Sequence, residues 1–133
     1  KRFYTISYAQ TDAEQEFIFT QLGANDPDFN LRSEPGIVQR VTAKKGHTFL
    51  SVFEKHGEYN PALEFTNDSY SRVQRLRLRE IEGYDIAHIE VSPQLIYTLV
   101  LAYEGHQNTQ HSIDINGRKI NWKGRYTLLD NEK

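Results

Sequence analysis

Titratable side chains crowd into one short stretch of this chain, Lys55-His56-Gly57-Glu58-Tyr59-Asn60-Pro61, with Glu54 and Glu64 close on either side. Imidazole, carboxylates and a phenol together can run acid–base chemistry. A β-elimination, for instance, needs a base for the proton α to a carboxylate, a donor that neutralises that carboxylate, and an acid, often Tyr, for the leaving oxygen. His56 and Tyr59 are of the right types for the first and last of these tasks. The same types also fill ordinary polar turns, where they serve packing, and contact with a bound ligand is a third use. No catalytic set is assigned on this basis, and His56 and Tyr59 stand as ligand-contact candidates.

Arg75, Arg77 and Arg79 are the most testable feature. On a strand they would leave one face at intervals of roughly 6.6 Å, twice the rise per residue. Each guanidinium can donate bidentately, so such a row suits the carboxylates of a linear polyanion. The alternative is a solvated face or a guarded sheet edge. The net charge of −2 and competition from water predict no tight binding by the isolated row.

Two His-x-Glu pairs, His56 with Glu58 and His88 with Glu90, would each point both side chains to one face of a strand and could meet around zinc. Five His spread over 133 residues make that coincidence ordinary, and no metal or other cofactor is expected. The loop at 23–30 holds two Asp and two Asn, which are oxygen donors of the calcium type, but it lacks EF-hand spacing and reads as Asx-turns.

The elements that must position these side chains are strands. Residues 3–8 and 16–22 alternate, as do 37–43 and 47–54, the latter two joined at 44–46 by a short Gly-containing loop that reads as a hairpin. Residues 55–61 read as a Gly/Pro-bent loop at the rim of the scaffold. Within 72–81, Val73, the three Arg and Ile81 share one face, and Gln74, Leu76, Leu78 and Glu80 share the other. Glu82-Gly83 then turns the chain into 84–91, Pro93 breaks that strand, and 94–104 carries a continuous apolar run that predicts cover on both faces. Asn116-Gly117 predicts a type I′ turn, with Ile113 opposite Ile120, an exposed Asp114–Lys119 ion pair, and Trp122 on the face of the two Ile. Residues 126–129 add a last short strand.

About ten short strands without a convincing amphipathic helix give an all-β fold, an antiparallel β-sandwich occupying 1–133 as a single domain. Eight Tyr and seven Phe favour sheet. The predicted core contains Phe49, Phe53, Leu76, Leu78, Ile96, Val100 and Trp122. A net charge of −2 argues against a surface built to attract nucleic acid or anionic lipid, and no run approaches the roughly 18 apolar residues of a membrane span. Neither nucleic acid nor membrane is therefore an expected partner. Cys is absent, which excludes disulfides and thiolate metal sites, and the absence of Met predicts a processed product or a piece cut from something longer.

Three phrases resemble one family: 23–32 beginning Gly23-Ala24-Asn25-Asp26-Pro27, then Gln39-Arg40-Val41, then 48–61 from Thr48 to the titratable stretch. Together they are similar to the C-terminal β-domain of heparinase II/III-like polysaccharide lyases, most of all the alginate (oligoalginate) lyases of polysaccharide lyase family 17. The resemblance covers mainly 15–66. It implies a periplasmic or secreted bacterial parent that cleaves uronate polysaccharide by β-elimination, with an N-terminal α/α toroid as the catalytic partner of this chain. None of the family's catalytic or metal-binding residues matches a position here. The chain by itself is accordingly expected to be inactive and to support the catalytic layers. An independent carbohydrate-binding module for an acidic polysaccharide, using the Arg row, is the alternative, and a small enzyme acting through His56 and Tyr59 is the third reading.

Overall fold

The computed structural model describes residues 2–11, 13–24, 32–42 and 46–132. Among these the chain forms eleven strands and no helix: β1 (Arg2–Tyr8), β2 (Glu14–Ala24), β3 (Arg32–Thr42), β4 (Ser51–Asn60), β5 (Phe65–Asn67), β6 (Arg75–Ile81), β7 (Tyr84–Ser92), β8 (Leu95–Ala102), β9 (Gln110–Ile115), β10 (Arg118–Lys123) and β11 (Tyr126–Glu132). Every pairing is antiparallel. The all-β antiparallel fold expected from the alternation is the one observed. The chain divides into two compact units, Lys1–Gln10 with Thr48–Lys133, and Thr11–His47.

In the first unit a four-stranded sheet in the order β11-β8-β7-β6 carries the core. Its inner face presents Ile86, Val100 and Ala102 to Ile113, Ile115, Ile120 and Trp122 of the β9–β10 hairpin, and Ile86 and Val100 are fully buried. This hairpin follows its sequence signal. Asn116 (φ 55°) and Gly117 (φ 81°) both take the left-handed conformation of a type I′ turn, and the register sets Ile113 against Ile120 and Lys119 against Asp114. The Asp114 carboxylate, however, accepts from the Gly117 amide at 2.8 Å, so it caps the turn instead of pairing with Lys119. A second two-residue turn at Glu82 (φ 51°) and Gly83 (φ 84°) joins β6 to β7.

Strand β8 differs from expectation. Thr98, Val100 and Ala102 are buried on one face, whereas on the other Tyr97 and Leu99 are half-buried and Leu101 is exposed, so the apolar run is fully covered on one side and partly covered on the other. The outer face is closed locally around Asp85, a buried carboxylate that accepts from Thr48 Oγ1 at 2.8 Å and from the Tyr103 hydroxyl at 2.9 Å.

A three-stranded sheet in the order β1-β4-β5 completes the first unit. Residues 37–43 and 47–54 do not pair with one another as expected: β3 pairs with β2, and β4 pairs with β1. Cross-strand matching accounts for the choice, because Phe19 then faces Ile37, Ile18 faces Val38 and Phe53 faces Ile6. Nor is 55–61 a loop. The strand continues to Asn60, and Gly57 (φ 49°) is the extra residue of a β-bulge, since Phe3 is opposite His56 while Arg2 is opposite Glu58.

The predicted core is only partly correct. Val100 and Trp122 are buried, Leu76, Leu78 and Ile96 are half-buried, and Phe49 and Phe53 are 53% and 64% exposed. Phe53 lies on the outward face of β4, stacked on Tyr4 at 5.4 Å between ring centroids.

The second unit is the β2–β3 hairpin, with an exposed ion pair between Arg40 and Glu16 at 3.0 Å and with Phe19 80% exposed. The loop expected at 23–30 lies outside the described residues except for Gly23 and Ala24, which continue β2, and Lys44 and Lys45 also lie outside them.

Candidate functional site

The bulge at Gly57 decides what the titratable stretch can do. It leaves His56 facing inward, opposite Phe3, and turns Glu58 outward, where it pairs with Arg2 at 3.3 Å. The first His-x-Glu pair therefore does not share a face, and no cluster of three His, Cys, Asp or Glu suited to a metal ion occurs among the described residues. His56 is buried and both ring nitrogens are used. Nδ1 lies 2.8 Å from the Asp68 carbonyl, which can only accept, so Nδ1 donates, and Nε2 lies 2.8 Å from the Thr5 hydroxyl. An imidazole with both ring nitrogens engaged inside the fold presents neither of them to a substrate. Its role is to tie residue 68 to β1 and β4.

Glu54 does similar work. Its carboxylate accepts from Ser71 Oγ at 2.5 Å and from the Arg72 amide at 3.0 Å. The Ser71 hydrogen bond holds the carboxyl below its usual value against the opposing effect of burial, helped by the Arg72 amide and the His56 ring. A polar pocket of about 390 Å³ opens here, lined by Arg2, Glu54, Lys55, His56, Gly57 and Arg72. Tyr59 is half-buried on β4, opposite Thr66, and is not among those lining residues. Of His56 and Tyr59, the first lines this pocket and the second does not, and neither lines the groove that holds the Arg row.

Arg75, Arg77 and Arg79 project from one face of β6 as the alternation predicts, with Leu76 and Leu78 on the other. Strand β6 is an edge of its sheet. The register with β7 sets Arg75 opposite Glu90, Arg77 opposite His88 and Arg79 opposite Ile86. Arg75 reaches Glu90 at 4.0 Å. Arg77 and Arg79 make no ion pair or hydrogen bond among the described residues. The three Arg line a groove of about 200 Å³ with His88, Glu90, Ile96 and Asn116, the last from the β9–β10 turn. His88 and Glu90 do share a face; Thr98 Oγ1 lies 3.0 Å from His88 Nδ1, Glu90 lies 4.0 Å from Arg75, and both side chains line this groove.

Burial, then the charges of Arg79 and Arg77, holds the His88 imidazole below its ordinary value of 6.5. It is therefore a neutral hydrogen-bonding group at pH 7. Replacing Arg77 and Arg79 by Gln should raise the His88 titration midpoint while leaving it under 6.5, because burial remains. An NMR titration of its ring protons checks this, and an unchanged midpoint would show that the guanidiniums do not face the ring.

Alternation within β6 alone does not join His88, Ile96 and Asn116 to the Arg row. The signal was present, because a two-residue turn at Glu82-Gly83 fixes the register that puts Arg77 opposite His88.

No family model matches the chain. It is 33% identical over 132 residues to an alginate lyase of Stenotrophomonas maltophilia (strain K279a), a match covering 99% of this chain and 18% of that protein. It is 30% identical over 134 residues to an exo-oligoalginate lyase of Saccharophagus degradans (strain 2-40), again covering 99% of this chain and 18% of the relative. The chain therefore spans less than a fifth of the length of the curated relatives it matches, and along nearly its whole length it is similar to one small portion of alginate lyases.

Proposed function

We propose that this chain is the non-catalytic C-terminal β-sandwich of a periplasmic or secreted lyase of the heparinase II/III-like, family 17 oligoalginate type, and that it buttresses the catalytic layers of that enzyme. The observation that carries the reading is the apolar outer face of the β1–β4 pair, where Tyr4, Ile6 and Phe53 stand together at 54%, 40% and 64% exposure. Monomeric proteins seldom leave contiguous apolar surface of this kind bare. Similarity to only 18% of each relative supplies an occupant for it, namely the remainder of a lyase chain. The commitment of His56 to the Asp68 carbonyl and Thr5 supports the non-catalytic part of the reading.

The test compares the 133-residue chain with the longest polypeptide its gene encodes. The chain alone should generate no unsaturated uronate chromophore from alginate. Deleting these residues from the longer polypeptide should lower its Tm by about 5 °C or more. Product formation by the chain alone, or a deletion that leaves both Tm and lyase rate unchanged, would overturn the reading.

A further inference from the structure

We propose that the groove between β6 and the β9–β10 turn is a carboxylate-binding site, in which Arg77 and Arg79 engage the acid groups of an oligouronate. This rests on the reading above only for the identity of the sugar; the site itself is argued from its geometry.

Three features of that geometry converge. First, Arg77 and Arg79 are unpaired among the described residues, whereas the neighbouring Arg75 has Glu90. A guanidinium presents a planar fork of donors that a carboxylate can take bidentately, and these two forks stand on one face of a strand, two residues apart. Second, the row is one wall of a concave site and not a flat exposed strand. Asn116 stands on the hairpin side, while Ile96 and His88 also line the space. Ile96 offers apolar contact to the C–H face of a sugar ring. His88 uses Nδ1 toward Thr98, which leaves Nε2 without a hydrogen bond among the described residues and available to a hydroxyl.

Third, the groove does not end at the Arg row. His88, Ile96 and Asn116 also line an adjoining space of about 470 Å³ that runs past Pro93 and Thr98 to Leu129 and Asp130. A cationic mouth opening into a longer, mixed polar and apolar channel suits a linear chain of acidic sugars better than a single small anion. The carboxylates of Glu90 and Asp130 lie along it. They disfavour a polyanion within their reach, although Arg118 lines the same space as Asp130, and the guanidiniums of the mouth that make no ion pair among the described residues are those of Arg77 and Arg79.

Because these charges are exposed, affinity is modest and strongly salt-dependent. Short alginate oligomers titrated into the 133-residue chain, followed by calorimetry and by NMR shifts, should give saturable binding that moves the signals of His88 and Asn116. Raising ionic strength from about 10 mM to about 150 mM should weaken it. The double variant Arg77→Gln/Arg79→Gln should weaken it about tenfold. A control that removes the same two charges elsewhere, Arg40→Gln/Lys123→Gln, should leave it intact, and circular dichroism confirms the fold of each variant. The same oligomers with their carboxyl groups reduced to alcohols should not bind.

The proposal is overturned by an absence of saturable binding at low salt, by equal loss in the two double variants, or by a sulfated polyanion that binds as well as alginate and ignores Arg77 and Arg79. Failure here with a destabilising deletion in the longer polypeptide removes the groove and leaves the buttress standing. Binding here with a deletion that changes nothing does the reverse, and moves the function to a carbohydrate-binding module.

Discussion

Ile86→Ala should lower the unfolding free energy of the chain by about 2–5 kcal/mol, read from urea denaturation at constant m-value. Ile86 is fully buried and belongs to the cluster in which β7 and β8 meet the β9–β10 hairpin, so truncation leaves a cavity bounded by Val100 and the facing Ile and Trp side chains. Those neighbours sit on paired strands and cannot collapse inward without breaking ladder hydrogen bonds. Phe53→Ala, although it deletes a larger side chain, should cost about 1 kcal/mol or less in the same measurement, because Phe53 is mostly solvated and loses chiefly its stacking on Tyr4. An equal cost for the two would mean that the core has been misplaced. In the longer polypeptide the Phe53 variant should become the more damaging of the pair if the β1–β4 face is covered there.

The second large effect is expected at Gly57. Gly57→Ala should destabilise the chain by about 2–4 kcal/mol, through two additive causes. The backbone there is left-handed at φ 49°, and a methyl group would collide with the carbonyl oxygens of Asn67 and Asp68, backbone atoms that cannot swing away as a side chain can. Gly83→Ala provides the comparison. Its φ of 84° carries the conformational penalty, but nothing stands within 4 Å of the added carbon, so the loss should be about 1–2 kcal/mol. Loss at position 57 should also release His56 from the Asp68 carbonyl, visible as a change in its ring-proton environment. Equal destabilisation at the two glycines would contradict the close approach of 67–68 to the bulge.

What the sequence made legible follows from which signals are local. Period-two alternation identified the faces of β6, and the Asn116-Gly117 and Glu82-Gly83 turns placed two hairpins because each turn chemistry dictates its own register. The pairing of β4 was misjudged because its partner β1 lies about fifty residues upstream, and nothing in 47–54 distinguishes β1 from β3 as a neighbour. Gly57 was read as part of a bent loop, whereas a single left-handed residue inside a strand is a bulge; both leave the same mark in a sequence. Hydrophobicity alone puts Phe49 and Phe53 in the core, a rule that fails for Phe53 on the β1–β4 face if the remainder of a lyase chain covers it. Of the candidate site, the Arg row is visible in the sequence and His88 follows from the β6–β7 turn, Ile96 lies opposite Glu90 in the β7–β8 ladder, and Asn116 reaches the groove through packing of the β9–β10 turn.

The insertion of β2 and β3 between two strands that pair with each other has a consequence for how this chain folds and tolerates change. Strands β6, β7 and β8 form a meander whose turns are two or so residues long, so their contacts can form early and locally. Closing β1 onto β4 must instead span the intervening segment and is expected to come later. The entropy of closing a flexible loop grows only logarithmically with its length, so doubling that segment would add only about 0.6 kcal/mol to closure. The interval between β1 and β4 is thus where length can vary most freely, as an insertion point whose cost is kinetic before it is thermodynamic.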